Sequence, residues 1–253
     1  MNKKYILIRS RLLLPLSRRL GLDARIEDGY LLIEGDTIAE VGRYTPETGE
    51  RILGRYRKNL RIIGLGDSVA AAGEDIPCLD TVLLPGFVKA HGHDHESPLI
   101  GVAKDEPLTD WLDHAVNLFT GFLTEEKEAL RDRFGVSAHL ITYSKAKLDD
   151  IYYGITTSLT HHCNFNKYNV ADLVEAAQTA GTRIIIAVGS SDRNYDPRIL
   201  ETPAEAVRRL DKYREEFGDR DRVAIIPGPD QVFSNSAEML KALKKWAQEN
   251  NTL

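Results

Sequence analysis

The chain has 253 residues with 33 basic and 38 acidic side chains, a formal net charge of −5, and 42% apolar residues. That balance excludes a disordered or collagen-like chain, and the length is ample for one large or two smaller domains with a hydrophobic core. The mild acidity supplies no broad basic field for a phosphate backbone, so a nucleic-acid polymer is not an expected partner. Cys78 and Cys163 lack C-x-x-C spacing, which points to a reducing compartment and a cytoplasmic location. The N-terminal Met1-Asn2-Lys3-Lys4-Tyr5-Ile6-Leu7-Ile8 begins like a secretion signal, but Arg9 and Arg11 break the apolar run, and it reads as a strand. No stretch reaches the roughly 20 apolar residues of a membrane span, so a soluble protein with no membrane partner is expected.

Residues 1–80 read as short β segments separated by glycine and charged turns: Tyr5–Ile8, Tyr30–Ile33, a turn at Gly35-Asp36, Ile38–Val41 and Ile62–Leu65. From Thr81 short apolar runs alternate with helical periods, the pattern of β/α units on a parallel sheet, which places a domain boundary near residues 75–82. The first strand is Val82–Val88, followed by helical material with Leu130, Phe134, Ala138, Ile141, Lys145, Leu148 and Tyr152 on one face. The second is Ile155–Thr160, with a helix from a candidate N-cap at Asn169 to a stop at Gly181. The third is Arg183–Val188, apolar enough to be covered on both faces; its helix opens on a Thr202-Pro203-x-Glu205 capping box and turns Val207, Leu210 and Phe217 inward. The fourth is Val223–Ile226, and its helix places Met239, Leu240, Leu243 and Trp246 on one side.

A closed parallel β/α barrel takes eight such units in typically ~250 residues. Four units in the residues after Thr81 make half a barrel, whose open edges must be paired or covered. The sequence leaves several arrangements open: a piece of a longer enzyme, a second polypeptide that supplies the other strands, self-association, or an ordinary open α/β sheet. A missing second half is the favoured expectation.

The strongest local signal is Leu84-Pro85-Gly86-Phe87-Val88-Lys89-Ala90-His91-Gly92-His93-Asp94-His95-Glu96, a strand that ends in H-x-H. Alternation along extended backbone points His91 and His93 the same way, so both imidazoles can face one divalent cation. Neutral imidazole suits zinc, iron or manganese, and the C-terminal end of a barrel strand is where catalytic groups sit.

The match extends beyond the histidines. Gly101-Val102-Ala103-Lys104-Asp105, Pro107-Leu108, Asp110-Trp111-Leu112 and Gly154-Ile155-Thr156-Thr157 follow, and Leu32–Gly42 precedes. With these the chain resembles the amidohydrolase superfamily, in the cytosine-deaminase-like branch that includes chlorohydrolases and nucleoside or guanine deaminases. The resemblance covers nearly the whole chain. It implies an α/β protein with a β-sandwich domain over residues 1–80 and the first four β/α units of a TIM-like barrel over 81–253. It further implies that His91 and His93 bind a single catalytic metal, zinc first with iron as the alternative. The remaining ligands and the acid/base Glu and Asp are expected beyond Leu253, so little metal affinity or turnover is expected of this chain alone.

The chemistry implied is hydrolysis: a divalent ion lowers the pKa of water from ~15.7 towards ~7, and hydroxide attacks an electron-poor carbon bearing an amino or other leaving group. Substrate-binding candidates are Trp111, His161 and His162 at the end of the second strand, and Asp230 and Gln231 at the end of the fourth. Relatives commonly carry a substrate-contacting His where Asp230 stands; an anionic rim residue favours an amino-heterocycle, amidine or guanidine over a typical nucleoside. His95 is either a pocket residue or a loop residue, Cys163 a small buried hydrophobe, and His114 and His139 surface or core residues. Expected partners are a small-molecule substrate and the other half of the barrel, in a homo- or hetero-oligomer. The alternative function is a non-catalytic subunit of the same fold that pairs with a second chain.

Overall fold

The computed structural model describes residues 4–65 and 75–252; Met1–Lys3 of the strand-like N-terminus lie outside them. The chain divides into two compact units, Met1–Pro85 and Gly86–Leu253.

In the first unit, β1 (Tyr5–Leu13), β2 (Ile26–Glu34) and β3 (Thr37–Arg43) form an antiparallel meander turned at Gly35. After α1 (Pro46–Tyr56) come the short β4 (Leu60–Ile62) and β5 (Leu79–Leu83), both parallel to β1. Residues 79–83 therefore belong to this first sheet. The strand expected over Ile62–Leu65 lies earlier, ending at Ile62. Helix α1 was not anticipated: Thr45 Oγ1 accepts from the Thr48 N–H at 3.2 Å and Pro46 opens the first turn. The helix joins Ile52 and Leu53 to a core of Leu7, Leu32, Leu60 and Ile62.

The second unit begins with β6 (Phe87–Lys89), a 3-10 turn over Asp94–Leu99, and α2 (Leu108–Trp111), which passes through a π-helical turn at Leu112–Val116 into α3 (Asn117–Glu125). Helices α4 (Lys127–Phe134) and α5 (Ala138–Tyr152) lead to β7 (Ile155–His162). Then strands and helices alternate: α6 (Val170–Ala180), β8 (Arg183–Ser190), α7 (Pro203–Phe217), β9 (Val223–Pro229), α8 (Ala237–Glu249). The sheet is fully parallel in the order β6-β7-β8-β9. This is the expected α/β class, with four consecutive strands of barrel type.

The single strand anticipated over Val82–Val88 is thus two. Pro85, between them, has no N–H for a ladder. Gly86 is where the second unit starts, and a Cβ there would lie 2.1 Å from Thr156 Oγ1, so only glycine lets β6 approach β7.

Ile184, Ile186 and Val188 of β8 pack with Leu173, Leu210 and Trp246 in one apolar core. The capping box at Thr202–Glu205 is formed in full. Asn169 occupies the position before α6 but caps nothing; its Nδ2 donates to Asp172 Oδ2 at 2.9 Å. The face assigned to the helical material before β7 is inverted. Ile141, Leu148 and Tyr152 are exposed, and the buried face of α5 carries His139, Thr142, Tyr143, Ala146, Lys147 and Asp150.

Candidate metal centre

Strand pairing of β6 ends at Lys89, yet the next residues stay fixed to β7 because the Gly92 carbonyl accepts the His161 N–H at 2.8 Å. His93 keeps an extended backbone (φ −126°, ψ 97°). The two rings meet edge to face, and His91 Nε2 lies 3.2 Å from His93 Nε2. Two nitrogens each about 2.0–2.1 Å from a tetrahedral zinc sit about 3.3–3.4 Å apart, so the pair, within hydrogen-bond distance of each other here, is spaced closely enough to share one cation.

The opposite nitrogen of His93 sets the tautomer. Its Nδ1 lies 3.1 Å from the His161 carbonyl, which can only accept, so Nδ1 carries the proton and the Nε2 lone pair points to His91 Nε2. Burial, reinforced by repulsion from His161 and His91, pulls the His93 pKa down to about 4. The ring is therefore neutral at neutral pH, as a metal ligand must be. The donor set fits a divalent cation of the zinc, iron or manganese type.

Around this pair the strand ends bring the remaining candidates to unequal distances. The His161 ring stacks on His93 at 5.4 Å between centroids, and its Nε2 lies 3.1 Å from the Gly228 carbonyl and 3.3 Å from Asp230 Oδ1. Alternation along β7 sends His162 the other way, fully buried against Tyr143 and away from the metal pair; burial lowers its pKa to about 3. Asp230 buries its side chain almost completely, accepting from Ser191 Oγ at 3.1 Å through Oδ2, while Oδ1 has no hydrogen-bond donor. It caps no helix: Gln231 is the residue that opens the following 3-10 turn. Gln231 Oε1 accepts from Tyr195 O–H at 3.2 Å. Trp111 packs with Leu99 and Val116 and lines a cleft of about 450 Å³ together with His93, Glu96 and Lys104.

His95 is enclosed in the turn after the ligand pair with both ring nitrogens unpartnered. Burial drives its pKa well below the ordinary value. Cys163 is buried with Sγ 3.6 Å from His93 Nδ1, and burial raises its pKa well above that of a free thiol. His139 is buried in the first turn of α5, whereas His114 is exposed and paired to Glu106 at 2.8 Å.

Three residues were missed in the sequence. Glu96 lines the cleft, where burial raises its pKa to about 7. Tyr195 reaches Gln231 from the loop after β8, a loop with no motif to mark it. Gly189 is the third: a Cβ there would lie 2.6 Å from Asp230 Oδ1 and 2.6 Å from the Cys163 Cα, so a bare backbone on β8 admits the carboxylate between neighbouring strands. An unbroken apolar strand that ends in glycine was the available signal.

No family model matches the chain. Among curated proteins it is 27% identical over 194 residues to a 5-methylthioadenosine/S-adenosylhomocysteine deaminase of Thermococcus kodakarensis, covering 76% of this chain and 42% of the relative. It is 24% identical over 253 residues to a 5'-deoxyadenosine deaminase of Methanobrevibacter smithii, covering all of this chain and 48% of the relative. Among solved structures, guanine deaminase from C. acetobutylicum superposes with a TM-score of 0.71 at 17% identity over 98% of this chain and 52% of that one. The zinc complex of the atrazine chlorohydrolase TrzN from Arthrobacter aurescens gives 0.67 at 20% identity over 97% and 51%.

These likenesses agree with the resemblance to the amidohydrolase superfamily. The chain spans about half the length of the relatives it matches. The curated relatives are named as deaminases, and the solved structures that share its fold include a triazine hydrolase and a guanine deaminase. No described helix is long and apolar enough to cross a membrane.

Proposed function

We propose that this chain supplies the first two metal ligands, His91 and His93, of a zinc-dependent hydrolase that removes an amino group from a heterocycle. The carrying observation is the 3.2 Å approach of the two Nε2 atoms, with the His93 tautomer set by the His161 carbonyl. Zinc would lower the pKa of water enough to supply a nucleophile near neutral pH. The net reaction consumes one water and exchanges a ring C–NH2 for C=O with release of ammonia.

This chain's own residues orient the partners of that reaction. Asp230 presents a buried carboxylate oxygen at the rim, 3.3 Å from His161 Nε2 and with no hydrogen-bond donor, an acceptor for an exocyclic amino group or a cationic ring nitrogen. Gln231, tied to Tyr195, offers an amide for the neighbouring ring edge. The Trp111 indole provides an apolar wall for a flat ring. His161 buttresses His93 and Asp230 together. Adenosine-like, guanine-like and triazine rings, the substrates named for its relatives, all carry the required amino or leaving group on an electron-poor carbon.

The acid/base carboxylates and further ligands belong to the remaining half of the barrel, and this chain alone has little turnover. The test is zinc binding and ammonia release from aminated heterocycles after assembly of the chain with a C-terminal half. His91→Ala and His93→Ala are expected to abolish both. Zinc binding that survives both substitutions defeats the assignment. A second reading, a non-catalytic subunit, is favoured by β6 alone: Phe87 and Val88 are 55% and 69% exposed at an edge suited to a second chain. That reading predicts partner capture with no zinc requirement.

A further inference from the structure

Beneath the two imidazoles lies a buried square of four charges that the chemistry above does not use. Lys89 Nζ donates to Asp94 Oδ1 at 3.2 Å and to Asp150 Oδ1 at 2.7 Å. Lys147 Nζ lies 2.7 Å from Asp94 Oδ2 and 2.9 Å from Asp150 Oδ2, and also donates to Ser158 Oγ at 2.8 Å. Thr160 Oγ1 adds a bond to Asp94 Oδ2 at 3.0 Å. All four carboxylate oxygens are engaged, two positive charges meet two negative ones, and the side chains of Asp94 and Lys147 are wholly buried.

The placement of the square matters more than its charge. Lys89 is the last residue of β6 and Asp94 the first of the following 3-10 turn. Their ion pair closes the backbone into a ring, and the residues inside the ring are Ala90-His91-Gly92-His93. Asp150 and Lys147 anchor the ring to α5, and Ser158 and Thr160 anchor it to β7. Gly92 belongs to the same device: a Cβ there would lie 3.0 Å from Lys89 Cε, so the lysine stem passes directly under the glycine between the two ligands.

Stability does not explain such a square. Desolvating four charges is costly, and buried ion pairs are commonly replaced by apolar residues at no loss. What a fully satisfied polar lattice supplies is a single geometry. A loop already held in its chelating shape loses no further conformational entropy when the cation arrives.

We propose that Lys89, Asp94, Lys147 and Asp150 are positioning residues that preset the bite of His91 and His93. The inference rests on the assignment of those histidines as metal ligands. The test uses the chain assembled with a C-terminal half, zinc competition against a chromophoric chelator, and the visible absorption of the cobalt-substituted site. The variant Asp94→Asn/Lys147→Met removes one charge of each sign and leaves the Lys89–Asp150 pair. Lys167→Met is the control: Lys167 is equally buried, bonded to Glu201 Oε1 at 3.0 Å in a cluster with Arg209, and none of these residues touches the ligands.

The double variant is expected to lose about 10- to 100-fold in zinc affinity, the usual effect of removing an outer-shell support, and to change the cobalt spectrum while remaining folded by circular dichroism. The control is expected to keep both within about twofold, although it too removes a buried ion pair. Should the double variant fail to fold, Lys89→Gln, at the solvent-facing corner, is expected to lose zinc affinity in the same direction. Wild-type affinity in the folded variant, or an equal loss in the control, overturns the positioning role. A wild-type assembly of the two halves that binds no zinc overturns the ligand assignment itself, and this inference with it.

Discussion

Strands β8 and β6 of the second unit's sheet owe their shapes to different forces. β8 runs for eight residues between two neighbours, with Ile184, Ile186 and Val188 sealed in the main core. β6 is three residues long and sits at an edge with two large side chains in solvent. The loop that leaves it is held by charges and by one backbone bond to β7. In this fold the element that carries the ligands is the one least supported by apolar burial, so stability and site geometry are separable by mutation.

The largest separation is expected from Trp246→Ala. Trp246 is 3% exposed in the core and donates to Asp211 Oδ1 at 2.6 Å, so truncation should cost about 3–5 kcal/mol. Urea denaturation measures that loss, while zinc affinity of the still-folded fraction at low temperature should not change. A parallel fall in affinity would show the two properties to be coupled. Gly189→Ala should strike both at once, because its methyl meets the Asp230 carboxylate and the Cys163 backbone; about 1–3 kcal/mol is expected from overpacking. A melting scan and a zinc titration on the same sample check it.

Acid should act on the core and on the ligand loop alike, since burial holds the His93 pKa at about 4 as well. His139 and His162 have pKa values pulled by burial to about 4 and about 3, below the ordinary 6.5. The unfolded chain takes up those protons first, so the contribution of these two histidines is intact above pH 6.5 and falls as pH drops through the window down to the folded values. Each histidine contributes up to about 2 kcal/mol of loss by pH 5. Urea midpoints at pH 7.5 and 5.0 measure this, and His139→Phe should flatten the slope. The smallest effect is the helix cap: Thr202→Ala removes one arm of the capping box of α7 and should cost about 1 kcal/mol with no change in zinc affinity. A larger loss would mean that α7 supports more than its own first turn.

What could be read in advance follows the same division. β8 and the α7 capping box depend on local periodicity and local hydrogen bonds, and both were visible in the residues themselves. So was the shared direction of His91 and His93, because two-residue alternation is a property of extended backbone. The buried face of α5 was not. It carries Lys147 and Asp150, whose charges are buried only because Lys89 and Asp94 arrive from distant sequence, and the apolar Ile141 and Leu148 are left outside. A rule that places apolar residues inward selects the wrong stripe there. Helix α1 was hidden by Gly49 and Gly54, of which Gly49 is required because a Cβ would lie 2.2 Å from Tyr44 Oη. The unequal fates of His161 and His162 follow from alternation, but which of them faces the ligands depends on β7 register, set across the sheet.

Gly189 carries a consequence for redesign. Its missing side chain is the headroom over which Asp230 and Cys163 meet, so a combinatorial library meant to retune ligand preference has freedom at positions 163 and 230 only while 189 stays invariant. Trimming Asp230 would lift only one of the two clashes, because the Cys163 Cα stays 2.6 Å from a methyl at 189, so the rim can be varied at 230 but the strand beneath it keeps its glycine.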